Sequence, residues 1–234
     1  MLNIVILNVE KRIDKAVRTL RQCRNIKNKD SFVEDIKVWH AVPFEKCNGV
    51  FVKFNKKNSS NYSSYCEESN TRSIVNILKY AKEHNWEYFL LLEDDSYFEE
   101  NNINYLQKYI ENLPDKFSIC YAGGYLYKYV HKGFKKYNDC WIECCNRNKY
   151  YDIWGNHGSI IHNSVYDAII KELEMFDHNI SDFVIKRSIH NIKDLNFFIA
   201  NPLVIHQYNG EDMHKINYDM IRRRHTKLVN LSMV

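Results

Sequence analysis

Tyr88-Phe89-Leu90-Leu91-Leu92-Glu93-Asp94-Asp95-Ser96-Tyr97 is the stretch that decides the fold, an apolar run that closes on three carboxylates. Five apolar or aromatic residues without alternation read as a strand covered on both faces, the pattern of a parallel sheet. Open α/β sheets take their ligands beyond the carboxyl ends of their strands, and Glu93, Asp94 and Asp95 stand at such an end. Three acids this close repel one another unless a cation is present. Hard oxygen donors suit Mg²⁺ or Mn²⁺, which keep coordination positions open for phosphate oxygens. Strand alternation would put Glu93 and Asp95 on one face and Asp94 on the other, so Asp95, furthest out, is the first expected metal ligand. The competing reading makes these acids caps and loop residues ahead of a helix near Asn102.

Outward from this strand the chain alternates. Upstream, Thr71 to Glu83 carries Ile74, Ile77, Leu78 and Ala81 at helical spacing. Leu2 to Val9 reads as a strand, and Ile13, Ala16, Val17, Leu20 and Cys23 mark the buried face of a following helix. Glu34 to Val42 and Val50 to Phe54 read as strands, and the polar stretch Asn55 to Ser64 as a loop. Downstream, a helix with Ile103, Leu106, Ile110 and Leu113 stops before Pro114, and a strand over Phe117 to Ala122 precedes Gly123-Gly124. The alternation implies an α/β fold, with a Rossmann-like, mostly parallel central sheet and helices on both faces. From Tyr125 to Trp154 helical period fades into short strands and long loops. A strand over Gly158 to His162, a helix over Ser164 to Phe176, a helix around Asp182 to His190, and strands at Leu195 to Ile199 and Leu203 to Tyr208 follow. No linker divides the chain, so one domain over 1–234 is expected, with a ligand-binding half at 1–125 and a mixed half at 126–234.

Composition narrows the partners. Lys+Arg of 33 against Asp+Glu of 29 leaves a formal net charge of +4, too weak a field for a dedicated nucleic-acid binder. With 7 Gly and 3 Pro in 234 residues, linker arrays and Pro-rich recognition tails are excluded. No apolar run approaches the roughly 20 residues of a membrane span. The N-terminus lacks the pattern of a secretory signal, and seven scattered cysteines form no paired framework. A cytoplasmic protein with reduced thiols is the expectation. Cys140, Cys144 and Cys145 lack zinc-site spacing, and the basic tail Arg222-Arg223-Arg224 reads as a solvated helix face.

Several of these pieces together resemble a nucleotide-sugar glycosyltransferase of the GT-A fold, similar to glycosyltransferase family 25, the lipopolysaccharide and collagen glucosyl- and galactosyltransferase group. Ile4-Val5-Ile6-Leu7-Asn8 with Glu10-Lys11-Arg12 and Asp14-Lys15 is similar to that family's opening strand and basic turn. His40-Ala41-Val42 resembles its Ala-Val segment, and Tyr88 to Tyr97 its acidic strand. The resemblance spans residues 2 to 125 and the remainder in outline. It implies that Asn8, Arg12, Ala41 and Val42 border the nucleotide and that Asp94 and Asp95 lie at the diphosphate and metal. The implied donor is a UDP-sugar, used with Mn²⁺ or Mg²⁺, and the acceptor a hydroxyl of a glycan or protein. The family's Ser-His pair before the acidic strand is replaced here by Ser69-Asn70-Thr71-Arg72-Ser73, without histidine.

Sugar transfer needs stabilisation of the leaving diphosphate and, for inversion in one step, a base for the acceptor hydroxyl. Asp182 resembles the acidic position that GT-A enzymes place near the acceptor, with Asp177 as runner-up; capping of the following helix by Ser181 or Asp182 is the structural alternative. The resemblance also brings a late histidine to the metal, and His206 is preferred over His214. Trp154-Gly155-Asn156-His157-Gly158 has the composition of an acceptor wall, with Trp154, Asn156 and His157 as contacts, or of a simple turn between strands. Two rival functions follow from the same residues: a metal-dependent phosphohydrolase, and a catalytically silent sugar- or nucleotide-binding module.

Overall fold

The N-terminal strand β1 (Leu2–Asn8) is buried at every one of its seven positions, as its unbroken apolar run requires. The computed structural model describes residues 1–9, 12–29, 32–47, 61–98, 103–126, 134–144, 153–154, 157–175 and 196–207. Helix α1 (Ile13–Lys29) leads from β1 to strand β2 (Val33–His40), and helix α2 (Asn61–Glu83) leads to strand β3 (Tyr88–Glu93). β2 and β3 both pair with β1 in parallel, giving the order β2-β1-β3. The chain therefore steps from β1 to one side and then back across to the other. Right-handed crossovers in opposite directions put α1 and α2 on opposite faces of the sheet, and they make the gap between the carboxyl ends of β1 and β3 a topological switch point.

Beyond β3 come strand β4 (Ser96–Phe98), helix α3 (Ile103–Glu111) and strand β5 (Ile119–Tyr121). Short strands β6 (Tyr125–Leu126), β7 (Phe134–Lys136), β8 (Trp141–Cys144) and β9 (Ile153–Trp154) follow. Strand β10 (Ser159–His162), helix α4 (Tyr166–Met175), and strands β11 (Phe197–Ala200) and β12 (Ile205–Gln207) complete the described chain. The main sheet has eight strands in the order β2-β1-β3-β10-β5-β11-β8-β7. β10 and β8 run against their neighbours and the others run together. The sheet is thus parallel in its first half and mixed in its second, as expected of a GT-A-like α/β fold.

Two local expectations are corrected. Ile13 and Val17 were placed on the buried face of α1, yet they are 61% and 39% exposed. Ala16 and Cys23 are buried as expected, and Thr19 and Ile26 complete the buried face, because the helix turns a partly polar stripe toward the sheet. Helix α2 starts at Asn61, ten residues before Thr71, and so takes the end of the stretch read as a loop. The expected strand over Val50 to Phe54 and helix over Asp182 to His190 lie outside the described residues. Strand β4 was not expected; it pairs with β12 in a separate two-stranded ribbon. No described helix is long and apolar enough to cross a membrane.

Candidate active site

β3 ends at Glu93, and Asp94-Asp95 form a turn into β4. Strand alternation therefore stops before the second and third acids. The expectation that Asp94 and Asp95 point to opposite faces fails for that reason, and both carboxylates meet the same guanidinium. Arg12 Nη1 stands 3.6 Å from Asp94 Oδ1 and 3.5 Å from Asp95 Oδ2. Lys15 Nζ is 3.6 Å from Asp95 Oδ2. These separations exceed the roughly 2.8 Å of a direct charge-assisted bond, so the cations balance the acids without being locked to them. The Val9 N–H donates to Asp94 Oδ2 at 3.0 Å, and Gln207 Nε2 donates to both Asp95 oxygens at 3.2 Å.

Both aspartates are buried, at 2% and 3% exposure. Burial pushes the Asp94 carboxyl up from its ordinary value, as does the Asp95 charge, while the Val9 N–H, Arg12 and Lys15 pull it back. The turn itself is pinned from several sides. The Glu93 N–H donates to Ser96 Oγ at 3.0 Å. Thr19 Oγ1, fully buried on α1, lies 2.8 Å from the carbonyl oxygens of Asp94 and Ser96. Gln22 pairs with Phe98 in both directions, its Nε2 donating to the carbonyl and its Oε1 accepting from the N–H.

The expected site residues fall into three groups. Asn8, Arg12, Asp94 and Asp95 come together at the switch point. Asn8 ends β1, and its main-chain carbonyl accepts from the Ala41 N–H at 2.8 Å; its side-chain Oδ1 is buried without a hydrogen-bond partner. His206 sits on β12 opposite Tyr97, one residue before the Gln207 that holds Asp95. His157 lies near enough to feel the His206 charge. It is 1% exposed, its Nδ1 is 4.0 Å from Glu93 Oε2, and burial with the nearby His206 charge lowers its pKa to about 3. It is a neutral imidazole facing Glu93. Asp177, Asp182 and Asn156 lie outside the described residues, and Trp154 is described only as the backbone partner of Tyr125.

Ala41 and Val42 line a cavity of about 740 Å³, together with Pro43, Thr71, Arg72 and Lys46. The Ser69 to Ser73 segment, where the resemblance departs, holds the wall of this cavity. Ser73 Oγ accepts from the Val42 N–H at 2.8 Å, and Ser69 Oγ donates to the Val42 carbonyl at 2.6 Å. Thr71 Oγ1 in the same wall is buried and has no hydrogen-bond partner. Sequence reasoning did not single out Lys15, Thr19, Gln22, Ser96 or Gln207 for this site. One signal was present: Arg12, Lys15, Thr19 and Gln22 recur at the three-and-four spacing of one helix face, a polar stripe inside an otherwise amphipathic helix.

No protein-family model matches the chain, and no curated protein matches it. Among solved structures, a glycosyltransferase involved in the glycosylation of the major capsid of PBCV-1 is similar over 93% of this chain and 98% of its own, with a TM-score of 0.54 at 10% identity. A197 from STIV aligns over 90% of this chain and 96% of its own, with a TM-score of 0.33 at 10% identity. The first likeness shows the fold alone: the described residues of this chain share a mixed α/β architecture with that structure.

Proposed function

We propose that this protein is a nucleotide-sugar glycosyltransferase that moves a hexose from a UDP-sugar to a hydroxyl of a glycan or protein. The observation that carries the reading is the placement of Asp94 and Asp95, two buried carboxylates at the strand-order reversal with Arg12 and Lys15 against them. The cavity beside Ala41 and Val42 opens at the end of β2, two strands from β3. Two strand spacings make about 10 Å, a span that a nucleoside diphosphate bridges with its base in the cavity and its phosphates near Arg12.

The donor set suits a divalent cation. Asp95 and Asp94 offer hard oxygens, while His206, the late histidine expected at the metal, forms no three-residue ligand group with them. Among the described residues no group of three or more His, Cys, Asp and Glu could hold a metal ion alone. Two carboxylates would leave the remaining coordination positions of such an ion to substrate phosphates and water. Such an ion supplies positive charge for the departing diphosphate. In the reaction, the bond between the anomeric carbon and the β-phosphate oxygen breaks and UDP leaves with the electron pair. The acceptor oxygen bonds to the anomeric carbon, and its proton passes to a base. Arg12 and Lys15 supply cationic donors for phosphate oxygens. The base role goes to Asp182, with Asp177 as alternate, and acceptor contact to Trp154 and Asn156; these assignments rest on sequence, while His157, 1% exposed, is too deeply buried to meet an acceptor.

A UDP-release assay across a panel of UDP-sugars with Mn²⁺, using Mg²⁺ and chelator controls, tests the reading on wild type and Asp95→Ala. The expected result is metal-dependent turnover of one UDP-sugar that drops about 10²-fold or more in the variant. Phosphate release without any acceptor would favour the hydrolase. Absence of both turnover and binding of every UDP-sugar overturns the glycosyltransferase reading.

A further inference from the structure

Helix α1 meets the acidic turn along a single stripe. Arg12, Lys15, Thr19 and Gln22 contact successive parts of it: the two carboxylates, the Asp95 carboxylate, the carbonyls on either side of Asp95, and the Phe98 peptide groups. Three of the four side chains touch it from partly exposed positions. Thr19 alone among them is fully buried, and it contacts backbone on both sides of the acid that the proposed reaction needs.

We propose that Thr19 is a positioning residue for that reaction, its hydroxyl holding the turn that aims Asp95; this rests on the glycosyltransferase reading above. A threonine in the middle of a helix ordinarily gives its hydroxyl proton to the carbonyl one turn back. Here Thr19 Oγ1 lies 2.8 Å from both the Asp94 and the Ser96 carbonyl oxygens. One hydroxyl hydrogen shared between two carbonyls draws both toward one point. The Asp94 carbonyl fixes the peptide plane that enters Asp95, and the Ser96 carbonyl fixes the plane one peptide beyond it, so the short segment that carries the Asp95 side chain is held at both ends. The β-branched side chain has few χ1 choices in a helix, so the clamp is stiff. Ser96 Oγ and Gln22 brace the same turn from its ends, but neither bonds to the carbonyl of Asp94.

The test compares full-length wild type, Thr19→Val and Thr19→Ser. Valine keeps the shape and removes the hydroxyl; serine keeps the hydroxyl. Three quantities are read: the melting curve, binding of UDP with Mn²⁺ by calorimetry without acceptor, and kcat and KM for the UDP-sugar that wild type uses. The expected result is a Thr19→Val protein that melts near wild type, binds UDP·Mn²⁺ about tenfold more weakly and loses at least about tenfold in kcat. Thr19→Ser recovers to within about threefold of wild type. Should Thr19→Val not fold, Thr19→Ser against Thr19→Ala makes the same comparison at smaller size. Equal binding and kcat in the hydroxyl-bearing and hydroxyl-free variants overturns the positioning role while the glycosyltransferase reading stands. A wild type that neither binds UDP·Mn²⁺ nor releases UDP overturns both.

Discussion

His157 carries a pH dependence that follows from where it sits. Its surroundings hold its pKa at about 3, against an ordinary value near 6.5. The unfolded chain binds a proton that the folded chain refuses, so stability is full above pH 6.5 and falls as pH drops from there toward 3. The loss at the limit is on the order of 5 kcal/mol. Urea unfolding at pH 7, 5.5 and 4.5 should show wild type weakening steeply, while His157→Gln, which has nothing to titrate, weakens much less over the same range. Equal slopes would show that the imidazole is protonated in the fold. At this scale the sequence was readable where the chemistry is local. Asp94, Asp95 and Arg12 could be named from runs of a few residues, and they do converge. Thr19 and Gln207 could not, because their partners lie 75 and 112 residues away along the chain. His157 was read as part of an acceptor wall from its glycine and tryptophan neighbours; its burial follows from the crossing of strands that no local pattern reports.

Among the elements, that crossing is the tightest point. The Gly158 N–H donates to the Leu91 carbonyl, the Ala122 N–H donates to the Gly158 carbonyl, and the Val204 N–H donates to the Ala122 carbonyl. A Cβ on Gly123 would lie 2.3 Å from the His157 carbonyl oxygen, and one on Gly158 would lie 2.6 Å from the Gly123 nitrogen. Gly158 also has φ of +137°, where a side chain is strained. Gly158→Ala should therefore cost roughly 3 kcal/mol or more. For a chain of this size that is a fall of about 6–12 °C in Tm, read by thermal denaturation; an unchanged Tm would mean that the backbones are not in contact. The long periodic elements were legible from sequence, as α2 and β3 show. Strand β4 was not, since three residues carry no period and its partner β12 lies more than a hundred residues further along the chain. On α1 apolar counting finds Ala16 and Cys23 but misplaces Ile13 and Val17, because Thr19, a polar residue, takes part of the buried face.

For the whole molecule, the proposed function makes one site of the cavity at the end of β2 and the acids after β3. Because the described residues hold no metal-binding group of three or more donors, Mn²⁺ alone is expected to bind weakly and to tighten at least about tenfold when UDP supplies phosphate oxygens. Titration of free Mn²⁺ by electron paramagnetic resonance, with and without UDP, reads this directly, and equal affinity in both would argue for a self-sufficient protein cage. The parallel first half was legible as alternation of strand and helix. The antiparallel entry of β10 between β3 and β5 was not, because pairing over such distances leaves no mark on neighbouring residues. The late arrival of β12 also sets an order of events during synthesis. The acidic turn leaves the ribosome early, with Arg12, Lys15 and Thr19 already made, but its clasp at Gln207 is translated 112 residues after Asp95. A nascent chain halted before Ile205 would display the acidic turn on a ribbon with one strand missing, so the setting of Asp95 is completed only as the last described strand is added.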